Sequence, residues 1–489
     1  MQNQTMLQGF EWYLPENGCL WSRWEKQAPN IAALGITDIW LPPAYKGANG
    51  AADVGYGVYD LFDLGEFDQK GTVRTKYGTR ERYLAAVRTL QQAGVRVWAD
   101  IVMNHKMGAD ELEHVRATPD ASDNREKAVG DEREIAAWTK FTFPGRAGKY
   151  SGFQWNWTHF NGTDWDDGAK TGGIYLFEGK RWDEQVDPEH GNFDYLMGAD
   201  LALTNHDVVE ELKRWGCWYL DTVHPDGLRL DAVKHMQRDF YTDWLGEMRR
   251  HAGRELPAVG EYWSPEVERL LGYLEGGAGM RLFDVPLHFH LFDISGANGN
   301  YDLSKLLDGT LVQAAPDQAV TFVDNHDTQP GQALQTFIQP WFKAPAYALI
   351  LLRGQGLPCV FYGDLYGVPH DGIAPVAGLK RLLWVRANLA YGELHDYFDD
   401  ANVVGFTREG DAEHPDSGLA MLLSDSTGGE KRMYVGSRLV GKTLVDALGK
   451  CTTPVTVDGE GNVTASAPAG GAAVWVTREA FDRMFMEES

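Results

Sequence analysis

Residues 227–235 read GLRLDAVKH and place Arg229 and Asp231 two positions apart in an otherwise apolar segment. In an extended strand such residues share a face, so Leu228 and Leu230 point the other way. Alone, the pair reads as a buried structural ion pair. Three other segments end in a similar manner. VGEYW brings Glu261, FVDNHD brings His326 and Asp327, and DIVMNH brings Asp100, Asn104 and His105. Each by itself also reads as a loop cap or a hydrogen-bonded turn. Together they gather carboxylates, imidazoles and one guanidinium at four strand ends, and charge concentrated in one place is costly to fold unless it works. Paired carboxylates suit glycosidic cleavage: one attacks the anomeric carbon and another protonates the leaving oxygen. Arg229 would keep Asp231 ionised, as a nucleophile requires. Glu261 would need a raised pKa, with Asp231 and Asp327 supplying like-charge pressure. Retaining chemistry places two such carboxyls roughly 5–5.5 Å apart.

The elements that must present these residues are legible. TMLQGFEW, ITDIWLP, VRVWADIVM, GLRLDAV, PAVGEYW, MRLFDVP, AVTFVDN and LPCVFYGD are eight strand candidates, and helical patterns intervene. After the second strand, Tyr83, Leu84, Val87 and Leu90 form a helical stripe. WFKAPAYALILLRGQG reads as a buried helix ending at a glycine. Eight alternations predict a (β/α)8 barrel, whose C-terminal mouth is where chemistry is done. A doubly wound sheet would announce a Gly-rich turn after its first strand, and none is there.

About a hundred residues separate VMNH from the helix near Asp207, far beyond the ~15 at which a structureless loop becomes unusual. An inserted subdomain over 104–206 is expected. From about Tyr397 the pattern changes to short strands punctuated by Gly, Asp and Ser, which predicts a small all-β sandwich over 397–489. The barrel then comprises 1–103 and 207–396.

The formal charge of −25 disfavours nucleic acid as a partner, and no basic run offsets it. No apolar run reaches the ~18–20 residues that span a bilayer. Cys19, Cys217, Cys359 and Cys451 are far apart, without CxxC pairing, and read as isolated thiols. With no secretory leader visible, a cytoplasmic location is expected, and no feature calls for more than a monomer.

DIVMNH, GLRLDAVKH, GEYW and FVDNHD, in this order at strand ends, resemble the four signature regions of the α-amylase family, glycoside hydrolase family 13. LPPAYKG, NFDYLMGAD and DNHDTQPGQ extend the resemblance nearly end to end, closest to bacterial liquefying and cytoplasmic members. The resemblance implies a barrel domain A, an inserted domain B after the third strand and a β-sandwich domain C. It implies Asp231 as nucleophile, Glu261 as acid/base and Asp327 as transition-state stabiliser. Arg229 would orient Asp231. His105 and His326 would bind hydroxyls of the cleaved sugar, Tyr56 would lie under it, and Lys234 and His235 would contact the leaving-group side. Trp263, just after Glu261, is expected in the cleft. The implied reaction is retaining hydrolysis of internal α-1,4-glucosidic bonds in an α-glucan.

The resemblance also implies a structural calcium between domains A and B, held by Asn104, Asp194, Asp200 and the backbone carbonyl of His235, with Asp183 as a further candidate. These are hard oxygen donors. Read without it, the acids are loop caps. The chain departs from the liquefying pattern at Asn161, Ala202 and Thr204, where carboxylates are expected. One calcium is therefore expected, not a multi-ion array. Three rivals stand beside this reading. A metal-dependent hydrolase using His105, His235 and His326 would want a His-x-His on the first strand, which LQGFEWY lacks. A silent carbohydrate-binding relative would have lost a carboxylate. A transglycosylating or pullulan-cleaving member of the family stays open.

Overall fold

A computed structural model describes residues 3–277 and 279–488. Eight parallel strands close into a barrel: β1 (Met6–Gln8), β2 (Asp38–Leu41), β3 (Arg96–Ile101), β4 (Gly227–Leu230), β5 (Ala258–Gly260), β6 (Arg281–Phe283), β7 (Ala319–Phe322) and β8 (Leu357–Phe361). Each lies within one of the eight segments singled out in the sequence. They are short, and apart from the first residues of β3 and β6 they are buried, as parallel strands covered on both faces must be. Helices pack around them. The one over Arg80–Gln92 buries Tyr83, Ala86, Val87 and Leu90, and the Thr79 hydroxyl caps it by accepting from the Arg82 amide. Leu84 is only half-buried, so Ala86 completes the predicted stripe.

Between β3 and the helix His206–Val223 lies a seven-stranded antiparallel sheet, from His105–Lys106 to Ala199–Leu201. Its first and last strands pair, with His105 opposite Asp200. The insert thus leaves and re-enters the barrel mouth at one point. At the C-terminal end, six antiparallel strands pack with a two-stranded ribbon, Gly429–Tyr434 with Asn462–Ala467, around a second core that includes Leu422, Met433 and Trp475. The first of these strands, Leu394–Tyr397, starts just ahead of the expected change of pattern. A helix over Arg478–Glu488, absent from the sequence reading, closes the chain; Ala480 and Met484, one turn apart, are its buried contacts. Among the described residues no helix is long and apolar enough to cross a membrane.

Candidate active site

The parallel ladder brings the charges together. Arg229 pairs in register with Asp100 on β3 and with Val259 on β5. Its side chain enters the barrel and is 1% exposed. One guanidinium nitrogen donates to Asp100 Oδ1 at 2.9 Å and to Asp231 Oδ1 at 2.6 Å, and the other donates to Glu261 Oε2. The planar fork suits this bridging task. The backbone fixes the same carboxylates: the Asp231 amide donates to Ile101 O and the Glu261 amide to Leu230 O, both at 2.9 Å. The chain then turns through Ala232, left-handed at φ 50°, a conformation that strains a residue bearing a Cβ. That turn points the Ala232 amide at Glu261 Oε2, 3.4 Å away.

Asp100 is a fixed acceptor. Beside Arg229 it takes hydrogen bonds on Oδ2 from Trp40 Nε1 (2.9 Å) and the Tyr56 hydroxyl (2.8 Å). The Tyr56 ring lies parallel to those of His326 (5.0 Å) and Trp12 (6.1 Å). His105 is buried, and its Nε2 donates to the Tyr56 carbonyl at 2.8 Å, so this histidine holds the Tyr56 loop. The Gln8 amide donates to His326 Nδ1 at 3.0 Å, which leaves Nε2–H directed at Asp327 Oδ2, 3.2 Å away. Burial holds both histidines neutral by lowering their pKa.

Burial raises the pKa of Glu261, and the charge of Asp231 raises it further against the pull of Arg229. Asp327 is raised more strongly, by burial and then by Glu261. For Asp231, opposing effects meet. Arg229 does pull its pKa down, but burial outweighs that pull and Asp100 adds to it, so the net direction is upward. One guanidinium serves four buried carboxylates, so their titrations are linked.

Lys234 and His235, on the short turn Val233–His235, are tied to the insert. Lys234 Nζ donates to Glu189 Oε2 (2.8 Å) and Trp263 O (3.0 Å), and His235 Nδ1 meets Phe193 O at 2.8 Å. Burial pushes the His235 pKa down to about 3. Trp263 is half-buried against His288, Phe289 and Phe322. The sequence reading missed Trp12, which shares the Tyr56–His326 stack. It also missed Trp138 and Trp165, which are 41% and 38% exposed and line a groove of about 400 Å³ with Lys106 and Met107, the residues after His105.

The acids named for a metal do assemble. Asn161 Nδ2 donates to Asp194 Oδ2 and Asp200 Oδ2, each at 3.2 Å, and the Asp183 amide donates to Asp194 Oδ2 at 2.8 Å. All are buried, and Asp183 Oδ1 has no partner. Among the described residues no lysine or arginine forms an ion pair with Asp183, Asp194 or Asp200. Burial drives the Asp183 pKa up to about 6, and burial plus mutual repulsion raises Asp194 and Asp200 well above the carboxylate range. Buried anions short of positive charge fit a hard cation. Asn104 adjoins them through its carbonyl, which accepts from the Leu201 amide at 3.1 Å, and Phe193, bonded to the His235 ring, precedes Asp194. Beside Asn161 and Thr204 lies a groove lined also by Lys180 and Arg181, a poor setting for a second divalent ion. Ala202 is buried without a polar side chain. A separate group, Glu393, His395 and Glu409, has its ligand atoms within 4.8 Å of one another on the C-terminal sheet and includes none of the residues expected to bind metal.

Residues 26–374 match the family model described as alpha amylase, catalytic domain. The chain is 50% identical over 481 residues to an α-amylase of Geobacillus stearothermophilus, covering 98% of this chain and 87% of that one. It is 48% identical to the glucan 1,4-alpha-maltohexaosidase of Bacillus sp. (strain 707), covering 97% and 93%. It is 42% identical to the cytoplasmic alpha-amylase of Escherichia coli (strain K12), covering 98% and 100%. The crystal structure of the α-amylase from Geobacillus thermoleovorans complexed with acarbose has a TM-score of 0.64 at 17% identity, covering 98% of each chain, a likeness of fold alone. Closed barrel, charged mouth and near-full-length identity agree: the chain belongs to the α-amylase family of glycoside hydrolases and is an enzyme of that family.

Proposed function

We propose that the protein hydrolyses internal α-1,4-glucosidic bonds of starch, glycogen or malto-oligosaccharides with retention of configuration. The observation that carries this is Arg229, whose one fork holds Asp231 and Glu261 side by side at the barrel mouth. Asp231 in its ionised form attacks the anomeric carbon. Glu261, its proton held by burial and the neighbouring charge, gives that proton to the departing glycosidic oxygen. A glucosyl–Asp231 ester results. Glu261, now a carboxylate, takes a proton from water as the water oxygen attacks the same carbon, and Asp231 is released. Asp327 and His326 grip hydroxyls of the distorted sugar, Tyr56 and Trp12 lie beneath it, and Lys234, His235 and Trp263 line the leaving-group side. His105 acts on the sugar through the Tyr56 loop it holds. Trp138 and Trp165, exposed in the groove beside Lys106 and Met107, serve as stacking platforms for further sugars of the chain.

Calcium bound by Asn104, Asp194, Asp200 and the His235 carbonyl, with Asp183 behind, would neutralise the buried acids and fasten the insert to the turn after Asp231. Three parts follow, with boundaries at 1–103 and 207–396, 104–206, and 397–489. Unpaired cysteines and the cytoplasmic relative support action in the cytoplasm, where the protein is proposed to act as a monomer. Incubation with soluble starch and with pullulan tests the reading. A rapid fall in starch chain length with little attack on pullulan is expected. Release of products only from chain ends, or cyclic and lengthened products, would overturn it.

A further inference from the structure

Beneath the turn that presents Asp327 lie three buried charged side chains that the chemistry above does not use, and one of them, Asp324, bonds the turn directly. Asn325 Oδ1 accepts from the amides of Asp327 (2.8 Å) and Thr328 (2.9 Å). The Thr328 hydroxyl accepts from the Asn325 amide at 3.0 Å and donates to Asp324 Oδ1 at 2.7 Å. Asp324 Oδ2 accepts from the Ile338 amide (3.3 Å) and from Lys343 Nζ (2.9 Å). Lys343, on the helix Pro340–Leu352, also donates to Asp364, just beyond β8. The other Asp364 oxygen accepts from the Tyr347 hydroxyl at 2.7 Å, which itself accepts from the Phe361 amide at 3.2 Å. A continuous path thus runs from the Asp327 backbone to the end of β8.

Asp324, Lys343 and Asp364 are 1%, 2% and 0% exposed. Apolar side chains of similar volume would stabilise such a position as well or better. What the ions add is direction: charge-assisted hydrogen bonds that hold one turn geometry. Two carboxylates face one ammonium, and burial with the charge of Asp364 pushes the Asp324 pKa up to about 7. No atom of Lys343 needs to meet substrate for this to matter. Asp327 has to grip hydroxyls at a fixed distance, and a small misplacement costs rate more than affinity.

We propose that Lys343, acting through Asp324 and Thr328, is a positioning residue for Asp327. This rests on the reading of Asp327 as the group that grips the distorted sugar. Two isosteric changes separate positioning from mere stability. Asp324→Asn and Asp364→Asn each leave one carboxylate opposite one ammonium, so both variants keep a neutral buried pair. Asp324→Asn withdraws the charge that ties Lys343 to the turn and makes the Thr328 hydroxyl reverse. Asp364→Asn leaves the Lys343–Asp324 tie in place. On soluble starch, Asp324→Asn should lower kcat roughly ten- to a hundredfold with KM near the wild-type value. Asp364→Asn should keep both constants within about twofold. Crystal structures should show the Asp327 carboxylate displaced in Asp324→Asn only. Should Asp324→Asn fail to fold, Thr328→Val cuts the same link with all charges kept and should copy its effect. Equal losses in the two asparagine variants, or full kcat with Asp327 unmoved in Asp324→Asn, would overturn the inference. A wild-type protein inert on starch would instead sink the functional reading, and the crystallographic comparison would still judge this one.

Discussion

Arg229 is the side chain whose loss most sharply separates this account from a generic buried ion pair. It is 1% exposed and donates to Asp100, Asp231 and Glu261. Hydrogen bonds to charged groups contribute about 1.5–3 kcal/mol each. Two of the three reach the reacting carboxylates, so their loss amounts to about 3–6 kcal/mol, or roughly 10²–10⁴ in kcat if it falls on the transition state. Breaking a buried pair also destabilises the fold by about 3–5 kcal/mol. Arg229→Gln combines both effects. Arg229→Lys keeps the charge, but a lysine cannot span three carboxylates with one planar fork, so a large kcat loss is expected there too. The pH profile carries a sign. Arg229 lowers the pKa of Asp231 and of Glu261 while burial raises both. Without the guanidinium both rise, Asp231 ionises at higher pH, and the acid limb of kcat/KM moves upward. Initial rates on soluble starch from pH 4 to 9, with melting curves to check folding, read all of this. Arg229→Lys within tenfold of wild-type kcat, or an unmoved acid limb in a folded Arg229→Gln, would contradict this role for Arg229.

The acid cluster predicts a pH dependence that calcium should abolish. Asp183 is raised to about 6 from 3.8, so the metal-free fold binds this proton more tightly than the unfolded chain does. That stability is fully present below the unfolded value and is lost as pH rises through about 6, about 3 kcal/mol in all. Chelated protein should therefore melt higher at pH 5 than at pH 8, and added calcium should restore the loss at pH 8; identical melting at pH 8 with and without chelator would argue against the site. Trp138→Ala should raise KM for long malto-oligosaccharides about tenfold, the worth of one aromatic contact of ~1.4 kcal/mol, and shift the product lengths seen by chromatography. Unchanged products would remove Trp138 from the sugar path.

How far the sequence spoke depended on burial. The eight barrel strands are apolar runs between helices, because a parallel strand is covered on both faces and leaves a dense signal. The strand ends were legible for the opposite reason: Arg229, Asp231 and Glu261 break that signal with charges, and period-two parity assigns their face. The insert was visible only as length. Its strands, such as Glu111–Ala121, mix exposed and buried positions, and their register depends on partners up to sixty residues away. Trp12, Trp138 and Trp165 lacked any periodic context, so nothing in the chain order separates them from core tryptophans. For Asp231 a sequence displays the neighbouring arginine, which does pull the pKa down, and hides the desolvation that outweighs that pull. The metal ligands are named by resemblance, and only the assembled cluster reveals that Asp183, Asp194 and Asp200 are buried together with no ion pair to a lysine or arginine among the described residues.

In the proposed mechanism Asp231 becomes covalently glucosylated. Glu261→Gln should be incubated with an α-maltosyl fluoride, whose leaving group needs no proton, then digested with pepsin and mapped by mass spectrometry. A maltosyl adduct is expected on Asp231, in the peptide containing GLRLDAVKH, and none in the Asp231→Asn/Glu261→Gln double variant. Turnover of the fluoride without any adduct and with inverted product, or an adduct on Asp327 or Asp100, would contradict it.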